Sequence, residues 1–174
     1  MAQPRTVVMG AGNILLKDEG VGIHVIRALK KDGALPPNVE VVDCGTAALD
    51  ALQSLADVDK LIVVDAVRGG DEPGAIYRFS PEDIFEKRSE SLSLHQLGLL
   101  EALKMAGMLG TVPKEIVIVG IQPEDVSPGL EPSPEIKRRI PEAVEVIKRL
   151  IQTEQGECKD GVLKRRKGRH VARV

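Results

Sequence analysis

The chain has 174 residues, of which 43% are hydrophobic, and a formal net charge of −2. This length fits one domain with a substantial core. Because there is no Trp, one Tyr and two Phe, that core is aliphatic, and the composition argues against a base-stacking surface for single-stranded nucleic acid. Two cysteines, no apparent signal peptide and no long apolar segment favour a reduced, cytoplasmic protein without membrane insertion.

The charge is unevenly distributed along the chain. Residues 156–174 carry seven Lys/Arg and two acidic residues, a net charge of +5, which leaves −7 on the remainder. We therefore predict a domain over residues 1–155 and a flexible basic tail over residues 156–174. A basic tail could bind nucleic acid or an acidic protein surface. A solvated terminus is the favoured interpretation, so no nucleic-acid partner is expected.

The first elements predicted are a strand, a turn and a helix. Thr6–Met9 is a short apolar run that ends in the Gly10–Gly12 turn, as a strand entering a loop does. Asp18 is a candidate N-cap for a helix with an apolar face that continues through Lys31. Gly33 then ends this helix.

Further strands alternate with helices in the next part of the chain. Val39–Asp43 is the second strand, and Thr46 begins a helix. Leu61–Asp65 is continuously apolar up to its last residue, which predicts a central strand of a parallel sheet. Ala75–Phe79 alternates between apolar and polar residues and is typical of an edge strand.

The last part of the domain follows the same alternation. Ser93–Gln96 has the spacing of a capping box that begins a helix. Glu115–Gly120 is another central strand, and Gln122–Pro134, with four prolines, indicates an ordered loop or lid. A final helix is predicted over Pro134–Ile151. The whole pattern predicts a single three-layer α/β domain, a twisted, mostly parallel sheet with helices on both faces.

Three residues with metal-binding side chains stand where an apolar element gives way to a loop or a helix. They are Glu19, Asp65 and His95, and the carboxyl ends of parallel strands share one edge of the sheet, where binding sites lie. Taken singly, each has an ordinary explanation, such as a favourable charge at a helix start. Taken together, they predict a metal site of two carboxylates and an imidazole, which suits Ni, Zn, Mn or Fe(II). Three protein ligands leave positions open for water or substrate.

Three further features near this edge are candidates for chemistry: Asp43, Cys44 and the glycine turn. Asp43 ends the second strand at the same edge and is a candidate catalytic acid or base, or else a turn cap. Cys44 as a nucleophile would need a low thiolate pKa and a nearby base, which no local residue supplies, so a structural role is expected. Gly10-Ala-Gly12 lacks the third glycine of a dinucleotide fingerprint and precedes two acidic residues, so nucleotide binding is disfavoured.

Five segments together resemble the hydrogenase maturation endopeptidases, over about residues 5–151. They are Gly10-Ala-Gly-Asn-Ile-Leu-Leu-Lys-Asp-Glu-Gly-Val-Gly22, Asp43-Cys-Gly-Thr-Ala47, Val64-Asp-Ala66, Leu94-His-Gln-Leu-Gly-Leu99 and Val119-Gly-Ile-Gln-Pro-Glu124 with the following Gly129-Leu130. The first segment is long and unusual enough to be specific. The chain departs from the family pattern at Cys44, where the family commonly has glycine.

The resemblance implies a function and a site. Members of this family remove a short C-terminal peptide from the large-subunit precursor of a [NiFe]-hydrogenase after nickel insertion. Their metal ligands correspond to Glu19, Asp65 and His95, and the nickel they recognise would be carried by the substrate. An alternative with the same ligands is a non-proteolytic module that senses or delivers nickel.

Overall fold

The structure is a computed structural model that describes residues 4–33, 35–47, 57–81, 83, 107–108, 110, 112–153 and 172–173. Its named elements are the strands β1 (Thr6–Ala11), β2 (Val39–Gly45), β3 (Lys60–Ala66), β4 (Ile76–Phe79), β5 (Glu115–Ile121) and β6 (Ala172–Arg173), the helices α1 (Val21–Lys31) and α2 (Pro134–Gln152), and a 3-10 helix (Lys17–Gly20) before α1. The helices predicted after Thr46 and after Ser93 lie outside the described residues.

One sheet contains all six strands, in the order β2-β1-β3-β5-β4-β6. The first four strands of this order are parallel, whereas β4 is antiparallel to β5 and β6 is antiparallel to β4. The predicted central positions of β3 and β5 are confirmed, and so is the mostly parallel α/β fold. Every residue of β3 is buried, as expected for a parallel strand whose two faces are both covered.

The last two described residues belong to the predicted basic tail. Ala172 pairs with Arg78 and Arg173 with Tyr77, so this short strand extends the sheet beyond β4. The predicted boundary between residues 155 and 156 stays a prediction.

Aliphatic side chains are buried on both faces of the sheet. On one face, α1 and α2 pack together and against the strands, around the residues Val8, Val25, Leu29, Ile62, Val119, Ile136 and Ile147. The second cluster contains Val7, Met9, Leu61, Val63, Tyr77, Phe79 and Ile118. Burying β-branched side chains on a pleated surface favours the strand conformation.

The two helices begin in different ways. Ser133 is the N-cap of α2, where its hydroxyl accepts a hydrogen bond of 3.4 Å from the backbone N–H of Ile136 and Pro134 follows in the first turn. The N-cap of α1 is Gly20, without a side-chain cap, so the predicted capping role of Asp18 is wrong. Asp18 lies in the preceding 3-10 helix and accepts hydrogen bonds from another loop, described below.

The described parts of the chain contain no helix that is both long enough and apolar enough to span a membrane.

Candidate active site

Glu19 is held over the ends of the central strands by close packing of glycines. A Cβ on Gly12, which has a φ of +133°, would lie 2.0 Å from the backbone oxygen of Glu19. A Cβ on Gly22 would lie 2.2 Å from the backbone oxygen of Val64 and 2.3 Å from that of Ala11. Only glycine permits such contacts, so these positions let the 3-10 helix and the start of α1 approach β1 and β3.

Asp65 is the penultimate residue of β3 and is 2% exposed. One of its carboxylate oxygens accepts a hydrogen bond of 2.8 Å from the backbone N–H of Ala66. The pKa of Asp65 is raised to about 7, chiefly by burial; the hydrogen bond from Ala66 lowers this pKa, and the negative charge of Glu19 contributes a smaller increase. The 3-10 helix that carries Glu19 contacts β3, so the structure places two of the three predicted ligands at the same edge of the sheet.

Asp43 lies at the same edge, near the end of β2. Its Oδ1 accepts a hydrogen bond of 3.1 Å from the backbone N–H of Gly45, and its Oδ2 lies 3.4 Å from Nη2 of Arg27. The side chain is 42% exposed, so solvent reaches it at this edge of the sheet. The turn-capping role considered for Asp43 is confirmed, and its catalytic role stays a prediction.

Cys44 does not have the environment of a nucleophile. Its thiol donates a hydrogen bond of 3.1 Å to the backbone oxygen of Gly10. Burial, followed by the charges of Asp65 and Asp43, raises the pKa of the thiol to about 12. The thiol therefore stays protonated at neutral pH, in agreement with the structural role expected from the sequence.

His95, the third predicted ligand, lies outside the described residues. Within the described residues, no group of three or more His, Cys, Asp or Glu side chains is placed to hold a metal ion. What these residues supply is a pair of interacting carboxylates, Glu19 and Asp65, with Asp43 nearby. A cation between two such carboxylates relieves their repulsion, and oxygen donors of this kind suit divalent metals. The donor chemistry thus fits a metal ion that receives its remaining ligands from elsewhere.

Asp18 anchors the loop after β5, a role that the sequence did not reveal. Its carboxylate is fully buried and accepts three backbone hydrogen bonds, from Glu124 at 3.0 Å, from Asp125 at 2.8 Å and from Ser133 at 2.6 Å. These donors satisfy the buried charge. No local pattern could reveal the contacts, because the partners lie more than 100 residues along the chain. Asp18 fixes the loop after β5 beside the segment that presents Glu19.

A second anchor fixes the loop after β3. The side-chain oxygen of Gln122 accepts hydrogen bonds from the backbone N–H groups of Gly69 at 2.8 Å and Gly70 at 3.1 Å, and from the Tyr77 hydroxyl at 3.1 Å. The loops that follow β3 and β5 are therefore tied to each other. The predicted ordered character of Gln122–Pro134 is confirmed.

The glycine turn after β1 packs against the segment that carries Glu19. Gly12 packs directly against the backbone of Glu19, and the N–H of Gly12 donates to the backbone oxygen of Gly45 at 3.0 Å. The turn thus serves internal packing, and the expectation that it does not bind a nucleotide stays a prediction.

Fold and site together define an α/β protein with two carboxylates, Glu19 and Asp65, at the carboxyl edge of its sheet. Residues 23–150 match the family described as "HycI: Hydrogenase maturation protease". The chain is 35% identical to the hydrogenase 2 maturation protease of Escherichia coli (strain K12) over 144 residues, which cover 82% of this chain and 88% of that protein. The chain therefore belongs to the hydrogenase maturation protease family and is a peptide hydrolase, which confirms the resemblance drawn from the sequence.

Solved structures agree with this assignment. The hydrogenase maturating endopeptidase HybD from E. coli superposes with a TM-score of 0.76 at 33% identity, over 84% of this chain and 91% of that chain. The [NiFe] hydrogenase maturation protease HybD from Thermococcus kodakarensis superposes with a TM-score of 0.72 at 28% identity, over 85% and 99% of the respective chains. The fold is thus shared across nearly the whole domain.

Proposed function

We propose that this chain removes a C-terminal peptide from the large-subunit precursor of a [NiFe]-hydrogenase after nickel has been inserted. The observation that carries the proposal is that the 3-10 helix with Glu19 packs against β3, whose buried Asp65 lies at the carboxyl edge of the sheet. Membership of the maturation protease family supplies the reaction class. The precursor is the proposed partner, and neither nucleic acid nor a membrane is required.

Glu19, Asp65 and His95 are the proposed ligands for nickel that the precursor carries. A set of two carboxylates and one imidazole suits a divalent transition metal, and three ligands leave positions for groups of the precursor itself. Because burial raises the pKa of Asp65 to about 7, an arriving cation would displace a proton from this carboxyl group. Nickel would then be substrate, and its presence would report that the precursor is ready for cleavage.

Binding the nickel would place the scissile amide in the cleft. Holding a reacting group in position can lower a barrier by about 7–11 kcal/mol in the best intramolecular cases. Asp43 is our candidate for orienting the peptide or accepting a proton, because its carboxylate is partly exposed at this edge. Cys44 is assigned no chemical step, since its thiol stays protonated.

We place this activity in the cytoplasm. The support is the low cysteine content of the sequence and the reduced state expected of such proteins.

A cleavage assay with two forms of the precursor tests the proposal. The purified chain is incubated with nickel-loaded precursor and, separately, with nickel-free precursor, and the mass of the large subunit is followed. Loss of a C-terminal peptide from the loaded form alone is the expected result. Cleavage of both forms would show that the chain is a protease for this precursor, but it would contradict the proposal that nickel signals readiness for cleavage. Binding of the loaded precursor without cleavage would favour the alternative, a nickel-sensing or nickel-delivery module.

A further inference from the structure

Two leucines project into solvent at the edge of the sheet that carries Glu19 and Asp65. The exposed fraction is 60% for Leu15 and 64% for Leu130. Leu15 follows β1 and precedes Glu19 by four residues, whereas Leu130 lies in the loop after β5. We refer to these two residues as the leucine pair. Exposed leucines are common singly, whereas these two lie at the same edge of the sheet.

The two segments that carry the leucine pair are joined by backbone hydrogen bonds. The N–H of Gly129 donates to the oxygen of Leu15 at 2.9 Å, and the N–H of Lys17 donates to the oxygen of Gly129 at 2.9 Å. The N–H of Leu15 in turn donates to the side-chain oxygen of Asn13 at 3.0 Å. The leucine pair therefore stands on a fixed backbone and not on a frayed loop.

Charged and buried contacts reinforce this arrangement. The ammonium group of Lys17 pairs with the carboxylate of Asp125, and the alkyl part of Lys17 packs over Gly129, where a Cβ would lie 2.9 Å from its Cγ. The buried carboxylate of Asp18 holds the same loop from beneath. A binding partner would meet a surface that is already ordered, which lowers the entropic cost of association.

We infer that the leucine pair is a docking surface for an aliphatic segment of the hydrogenase large-subunit precursor. This inference rests on the proposed function. A stable protein–protein contact buries about 1,200 Å² or more in total, far beyond what two carboxylates and the nickel can cover. Leu15 and Glu19 lie four residues apart in the segment that follows β1, at the carboxyl edge of the sheet. A precursor whose nickel reaches Glu19 would pass over the leucine pair.

The position of other exposed apolar residues supports a specific role. Among the described residues, the other large apolar side chains that are exposed are Met108 and Val112. Val112 precedes β5 by three residues and so lies at the opposite, amino edge of the parallel strands. It is the matched control for a surface residue away from the cleft.

The test uses the full chain and nickel-loaded precursor. Four proteins are compared: wild type, Leu15→Ser with Leu130→Ser, Leu15→Met with Leu130→Met, and Val112→Ser. The measurements are KM and kcat for release of the C-terminal peptide, and Kd for immobilised precursor. Since both leucines are exposed, none of these substitutions removes core packing.

The double serine variant should raise KM and Kd by roughly 10- to 100-fold, as expected for two leucines that lose burial at an interface, with kcat unchanged. The double methionine variant, which keeps the apolar surface and similar volume, should stay within about threefold of wild type. Val112→Ser should match wild type.

Unchanged KM and Kd in the double serine variant would overturn the inference. A second result would also overturn it. If sedimentation shows that the wild type is a dimer, and the double serine variant is a monomer with unchanged KM, then the leucine pair binds a second copy of this chain. If the wild type binds the precursor but does not cleave it, the proposed protease function fails. The Kd values of the wild type and the double serine variant would still show whether the leucine pair binds the precursor. If wild type binds no precursor, both fail.

Discussion

The backbone N–H of Ser133 donates a hydrogen bond of 2.6 Å to the buried carboxylate of Asp18, 115 residues earlier in the chain. Adjacent acidic residues thus have different tasks. Asp18 points into the protein and fixes the loop after β5, whereas the charge of its neighbour Glu19 acts on Asp65. The site and its supporting loop are therefore organised by one short 3-10 helix.

Replacing Asp18 with Ala should destabilise the protein strongly. Three backbone N–H groups would lose a charged acceptor in a buried place, and we expect a loss of about 3 kcal/mol or more in the free energy of unfolding. Urea unfolding measures this loss, and hydrogen exchange should show faster exchange at Glu124 and Asp125. Asp71→Ala, at an exposed aspartate, is the control. Equal stability of the two variants would contradict the anchoring role.

The stability of the metal-free protein should fall as pH rises through the titration of Asp65. Its folded-state pKa, about 7, lies above the ordinary value of 3.8, so the folded state binds the proton more tightly. The stabilisation that comes from the protonated Asp65 side chain is fully present below about pH 4, and it is lost as the pH rises through about 7. Its upper bound is about 4 kcal/mol.

Asp65→Asn removes this dependence, because an amide does not ionise in this range. Above pH 7 the variant should be more stable than the wild type, and the difference between the two should grow from about pH 4 upwards. Urea unfolding at several pH values, with a chelator present, measures it. A difference that does not vary with pH would contradict the raised pKa.

Gly22→Ala should displace the start of α1. The new methyl group would lie 2.2 Å from the backbone oxygen of Val64, and backbone atoms of a central strand cannot move aside cheaply. We expect a loss of stability of about 2 kcal/mol or more and weaker processing of the precursor, since Glu19 would shift. Gly107→Ala is the matched control, because the added methyl group would make an ordinary contact of 3.6 Å with Val112. Thermal unfolding and the cleavage assay compare the two.

Cys44→Ser should keep the cleavage activity. The thiol is protonated and donates to Gly10, and a serine hydroxyl can make the same hydrogen bond. Iodoacetamide at pH 8 should label Cys44 slowly, as peptide mapping by mass spectrometry would show. Complete loss of cleavage in the serine variant, together with rapid labelling of the wild type, would identify Cys44 as a nucleophile after all.

Glu19→Gln, Asp65→Asn and His95→Ala should each reduce cleavage of nickel-loaded precursor by at least about 100-fold, because each removes a proposed ligand of the positioned metal. Circular dichroism checks that each variant is folded. Wild-type cleavage rates in all three variants would show that these residues do not recognise the nickel.

The sequence by itself determined the fold class and the edge of the sheet where the site lies. A continuous apolar run such as the one that ends at Asp65 indicates a buried parallel strand. The carboxyl ends of such strands meet at one edge of the sheet, whatever the loops between them. The same reasoning predicted Glu19 and Asp65 at one edge, and in the structure the 3-10 helix with Glu19 contacts β3, the strand of Asp65. The role of the two residues as metal ligands stays a prediction.

Only the tertiary structure decided the role of Asp18 and the state of Asp65. Asp18 resembles a helix cap in the sequence, yet its partners are backbone groups of a distant loop. The raised pKa of Asp65 arises mainly from burial, a property of the assembled core. Local patterns reflect neighbours along the chain, whereas hydrogen bonds between distant segments and the desolvation of a carboxyl group exist only after the chain has packed.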